Sequence, residues 1–148
     1  MVGFSSRASQ RELAAAGGRP DPWIVRNGWA VWAAIVLVAS VMPVEWVFGF
    51  ADSDEWSWMA GLAHFAEFGV FAALVALARS RRHGWTVGLL LGAAGGVGYG
   101  LLIEAVQLPL PYRSADLRDF ALDVCGVITA VLLLNWARRG RERRRGHR

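Results

Sequence analysis

Four apolar runs, at about residues 28–48, 57–78, 85–108 and 119–136, dominate this 148-residue chain. At about 1.5 Å of rise per residue, each is long enough as a helix to cross a hydrocarbon layer of roughly 30 Å. In lipid the backbone must satisfy its own hydrogen bonds, so only helices and closed barrels span it. The runs are continuous, without the alternation of barrel strands. The sequence therefore predicts an all-α fold, an integral membrane four-helix bundle, with no internal repeat at a fixed period.

The basic residues orient the bundle. All sixteen are Arg. Fourteen of them fall on one side of a four-span arrangement: Arg7, Arg11, Arg19 and Arg26 before the first run, Arg79, Arg81 and Arg82 after the second, and seven from Arg138 to Arg148 after the fourth. By the positive-inside rule the N and C termini are both cytoplasmic and the protein is a multi-pass protein of the cell membrane. Residues 1–27 are then a basic cytoplasmic segment, 28–136 the membrane domain and 137–148 an Arg-rich cytoplasmic tail. Trp29, Trp56, Trp58, Trp85 and Trp136 fall near the proposed span ends, as an aromatic belt requires, whereas Trp32 sits deeper. A hydrophobic share of 55% and a mean hydropathy of +0.33 exclude an ordinary soluble enzyme.

Two other features have alternative readings. Trp29 to Val41 has the length of a signal-peptide core, and Val38-Ala39-Ser40 loosely resembles a cleavage site; its removal would leave three spans of the same orientation. The basic tail suits anionic membrane lipids as partners. It carries no aromatic platform for bases, so no nucleic-acid partner is expected. Cys125 is the single cysteine, which rules out an internal disulfide.

In the third run Gly88, Gly92, Gly96 and Gly100 recur every four residues, a narrow face on which a neighbouring helix can approach closely. Gly126 and Ala130 give the fourth run a matching face.

The chemistry lies in polar residues carried at one depth. His64 and Glu67 on the second run, Glu104 and Gln107 on the third, and Asp119 and Asp123 on the fourth are spaced three or four apart, so each pair shares a helix face. All six fall in the outer half of the membrane or at its surface, beneath a loop bearing Arg113 and Asp116. An unpaired acid at the bilayer centre costs about 2.5–3.5 kcal/mol, so these groups must face one another, Arg113 or water. Arg113, with its planar fork, is the natural counter-ion for two carboxylates or an anionic headgroup. These eight residues form the predicted ligand site, with His64, Glu67 and Glu104 the candidates for any catalysis.

The motifs His64-Phe65-x-Glu67-Phe68, Glu104-x-x-Gln107 and Arg113-x5-Asp119-x3-Asp123-x2-Gly126 resemble those of the VanZ-like family of small membrane proteins, over about residues 54–130. The chain departs from the family pattern at Ala60 and Gly61, where an Asp-Lys pair is usual, and at Asp123, where Asn is usual. The resemblance implies a four-helix membrane protein of the cell envelope with a role in low-level resistance to the glycopeptide teicoplanin.

Three functions fit the residues. The first is an outer-leaflet pocket that binds a lipid-linked cell-wall precursor or the acyl tail of a lipoglycopeptide. The second is an intramembrane enzyme acting on a lipid or lipid-linked sugar, with His64 as acid or base, Glu67 or Glu104 orienting it and Arg113 clamping a phosphate. The third is ion or proton transfer. His64, Glu67, Glu104, Asp119 and Asp123 also supply the donor types of a divalent-metal site, but the expectation is that neither a metal nor another cofactor is bound. No nucleophile elbow or phosphate-cradling glycine loop accompanies these residues.

Overall fold

Residues 22–43, 54–112 and 117–146 are described in the structure, a computed structural model. They form four helices: α1 (Pro22–Val41), α2 (Asp54–His83), α3 (Trp85–Gln107) and α4 (Leu117–Gly146). No strand occurs among the described residues. The all-helical architecture is the one that four continuous apolar runs dictate.

Three stretches, Met59–His83, Trp85–Gln107 and Leu117–Gly146, are long and apolar enough to cross a membrane. The first run differs from expectation. Its helix starts earlier, at Pro22, because a proline at the first helical position sacrifices no hydrogen bond. It ends at Val41, before Pro43, which cannot continue a helix. The apolar part of α1, Arg26–Val41, spans only about 24 Å and is shorter than the other three. Part of the expected first span, residues 44–48, lies outside the described residues, as does the N-terminal segment up to residue 21.

At the other end of the chain, helix runs on through the arginines as far as Gly146. Arg is a good helix former, Arg138 Nε donates to Glu142 Oε1 at 2.7 Å one turn on, and Arg143, Arg144 and Arg145 sit at the negative end of the helix dipole.

Helix α2 is the centre of the bundle: it packs along both α3 and α4 and also meets α1. One residue, Gly84, separates α2 from α3. Its φ of 83° lies where a side chain would be strained, and its N–H donates to the Ser80 carbonyl at 3.1 Å. The glycine ridge of α3 is buried throughout and does what its spacing predicts. A Cβ on Gly92 would stand 2.6 Å from the Ala72 carbonyl oxygen, and one on Gly88 would stand 2.7 Å from the Ser80 backbone. Gly126 of α4 lies against the Phe65 carbonyl of α2, where a Cβ would overlap it outright. Gly98, by contrast, has open space beside it.

Val36, Phe68, Ala72, Ile103 and Val127, one or two from each helix, make the buried core, with Trp32, Val97 and Tyr99 packed on it. Leu62, Leu90, Leu101, Ile128, Leu132 and Leu133 instead point outward and are more than half exposed, an apolar exterior of the kind that lipid covers.

Candidate functional site

Where α2 crosses α4, His64 faces the first two turns of α4. Its Nδ1 lies 2.9 Å from Asp123 Oδ1 and its Nε2 lies 3.9 Å from Asp119 Oδ2. The four-residue spacing of the acids puts both on the face that meets α2. Exposure falls along this file from 30% at Asp119 to 13% at His64 and 0% at Asp123, so the polar groups lead inward from the end of the bundle.

Packing holds the imidazole in place. Phe68, one turn further along α2 and fully buried, stacks nearly parallel to it with ring centroids 6.1 Å apart. With the carboxylate of Asp123 accepting, Nδ1–H is the donor, and Nε2 is directed toward Asp119. The second oxygen of Asp123, Oδ2, is buried with no hydrogen-bond partner among the described residues. It is pressed toward α3, where a Cβ added to Gly100 would stand 3.1 Å from it. The last glycine of the ridge therefore has a role the spacing did not assign: it makes room for a carboxylate. A buried oxygen of this kind costs about 1–3 kcal/mol unless something meets it.

The other predicted site residues divide. Glu67 lies close enough to His64 and to Tyr99 to act on both electrostatically. Its backbone carbonyl accepts from Trp32 Nε1 at 2.9 Å, which explains why that tryptophan sits deep in α1 rather than in the aromatic belt. Glu104 is half-buried, one turn beyond Gly100 on α3. Gln107 is not directed at His64. It is buried, and its Nε2 donates to the Ser40 carbonyl of α1 at 3.1 Å, beside the bond from Ser40 Oγ to the Val36 carbonyl at 2.7 Å. Arg113 and Asp116 lie outside the described residues. The structure thus brings His64, Asp119 and Asp123 together, with Glu67 nearby, and commits Gln107 to fastening α3 on α1.

Other polar groups tie α1 to the bundle in the same way. The Tyr99 hydroxyl donates to the Ala33 carbonyl at 2.5 Å and the Tyr112 hydroxyl to the Val41 carbonyl at 3.0 Å. Neither tyrosine stood out in the sequence. A lone hydroxyl among the glycines of α3 was the available signal, since a buried phenol needs an acceptor.

Chemically, an imidazole oriented by one carboxylate and facing a second can accept or donate a proton and can hydrogen-bond hydroxyl or amine groups. Among the described residues no three His, Cys, Asp or Glu side chains are grouped so as to hold a metal ion.

The family model described as VanZ/LLP1 matches residues 20–138, which takes in α1, α2, α3, α4 as far as Arg138 and the whole of this site. No curated protein and no solved structure matches the chain.

Proposed function

Since the chain belongs to the VanZ/LLP1 family, we propose that it is a multi-pass protein of the cell membrane whose polar site opens toward the outer leaflet, binds a lipid-linked or acylated envelope ligand, and thereby alters susceptibility to glycopeptides of the teicoplanin type. Both termini are cytoplasmic in this reading, which places the Asp119 end of the file outside.

The observation that carries it is the inward file of Asp119, His64 and Asp123. Three ionisable groups inside an apolar bundle are costly unless they serve a purpose, and only the first of them is substantially exposed. Carboxylates and imidazole take hydroxyl and amine donors. A lipid-linked sugar, or the sugars and amine of a lipoglycopeptide, offers both, with its hydrocarbon lying against the bundle. Arg113, in the segment leading into α4, is the residue we assign to an anionic headgroup.

The test is glycopeptide susceptibility of cells lacking the chain and complemented with wild type, His64→Ala or Asp119→Asn. Asp119 is 30% exposed and 3.9 Å from its partner, so Asp119→Asn changes stability by less than about 1 kcal/mol. We expect it nonetheless to abolish the effect of the wild-type gene. Cells in which both variants complement fully would refute the pocket.

A second reading, an intramembrane enzyme acting on a lipid or lipid-linked sugar, is favoured by one observation. Asp123 holds Nδ1 of His64 and turns Nε2 toward Asp119 and the more exposed end of the file, where a proton can be passed to or from a ligand. Lipid-resolved mass spectrometry of the purified protein separates the two: a glycolipid retained unchanged supports binding, and a glycolipid converted on incubation supports catalysis.

A further inference from the structure

A second site lies at the opposite end of the bundle. Arg79 is fifteen residues beyond His64 on α2, about 22 Å along the helix. There Arg26, Asn27 and Trp29 of α1 and Ala78, Arg79 and Arg82 of α2 line a cleft of about 320 Å³. The Arg79 guanidinium lies over the Trp29 ring, 5.6 Å from its centroid, and Trp29 Nε1 donates to the Arg26 carbonyl at 3.0 Å. The aromatic ring therefore fixes one guanidinium while its own N–H anchors it to the neighbouring turn. None of the three arginines forms an ion pair with a described carboxylate, unlike Arg138, which is matched to Glu142. Three guanidiniums around one cleft repel each other, and an anion between them removes that repulsion.

The apolar surface next to the cleft says what carries the anion. Val31, Ala34, Ile35, Val38, Ala39 and Met42 line a wholly apolar groove along α1. Val31, Ala34 and Val38 follow Asn27 at helical spacing, so the groove runs down the face whose first turn borders the basic cleft. A charged recess that passes into an apolar track matches a phosphate group with a hydrocarbon chain attached.

We propose that this cleft binds the phosphodiester headgroup of an anionic phospholipid, with one acyl chain laid along α1 in the groove from Val31 to Met42. The site is separate from that of His64 and does not depend on the function assigned there.

The test is mass spectrometry of the full chain released from detergent micelles after titration with phosphatidylglycerol, phosphatidylcholine of the same chains, or inorganic phosphate alone. The expected result is preferential retention of phosphatidylglycerol. Retention falls about five-fold in Arg82→Gln, which leaves the stack on Trp29 in place, and roughly thirty-fold in Arg79→Gln/Arg82→Gln. The tail variant Arg143→Gln/Arg144→Gln/Arg145→Gln keeps the wild-type preference. Equal retention of the two lipids would overturn the proposal, as would loss of preference in the tail variant alone. Inorganic phosphate displacing the lipid at equal concentration would show a site for the free anion and overturn it too. A melting temperature unchanged in Arg82→Gln, measured on the same preparation, ties its loss to the cleft rather than to unfolding.

Discussion

His64 and Asp123 meet across the α2–α4 interface at 2.9 Å, and the carboxylate partner has no exposed surface at all. Each therefore depends on the other for its place in an apolar bundle, and the two halves of the pair are not equivalent to mutation. Asp123→Ala leaves the imidazole facing a void and should cost about 3–5 kcal/mol. Asp123→Asn keeps an oxygen for the Nδ1–H and should cost only about 1 kcal/mol. Thermal melts of the two variants in detergent should therefore differ widely. Equal destabilisation would mean that the hydrogen bond contributes nothing beyond the volume of the side chain.

The glycines should separate by what stands beside them. Gly126→Ala drives a methyl group into the Phe65 carbonyl, and backbone cannot move aside as a side-chain tip can, so α4 must shift away from α2. The expected loss is at least the roughly 1–3 kcal/mol of an overpacked core. Gly98→Ala meets nothing within 4 Å and should be neutral or stabilising by up to about 1 kcal/mol through helix propensity. Expression and melting of the pair measure the contrast, and a Gly126→Ala protein as stable as wild type would contradict the close packing of α2 and α4.

Gln107 offers a test of scaffold against ligand contact. Gln107→Ala frees the Ser40 carbonyl in a buried setting, at a cost of about 1–3 kcal/mol, and loosens the end of α1. Lipid retained at the His64 site should be unaffected once the protein is folded. Loss of that lipid from a Gln107→Ala protein of wild-type stability would restore Gln107 to the ligand site.

Topology is open to direct labelling. Single cysteines introduced at Arg81 and near either terminus should be shielded from an impermeant thiol reagent in intact cells, and cysteines at Asp54 and Arg113 should react, in a background with Cys125 replaced. Labelling at position 81 from outside would invert the placement of both clefts.

The helices were legible in the sequence because their causes are local: unbroken apolar runs, a glycine every fourth residue, arginines collected at span ends. That Asp119 and Asp123 share one face was legible for the same reason, since i, i+4 spacing forces it; that this face meets His64 was not. What spacing cannot tell is which neighbour a face turns toward. Glu104 and Gln107 share a spacing like that of the aspartates, yet Gln107 is turned to the Ser40 carbonyl of α1, because α3 lies between α1 and α4 with different residues on each side. Nor does a count of apolar residues find Pro22 as the start of α1. That depends on the backbone chemistry of proline rather than on hydropathy.

The order of the residues along the chain has a consequence for biogenesis. His64 precedes Asp123 by 59 residues, which at ordinary translation rates is about 3–12 s of synthesis. The acid that is most costly to place in lipid is thus made after both α2 and α3, which the single residue Gly84 joins. The imidazole that meets this carboxylate in the finished bundle is therefore always synthesised before it. Exchanging the histidine and the aspartate between the two helices would keep the pair, though not the ring stacked on Phe68 or the carboxylate beside Gly100, and would leave the first acid waiting for its partner throughout that interval.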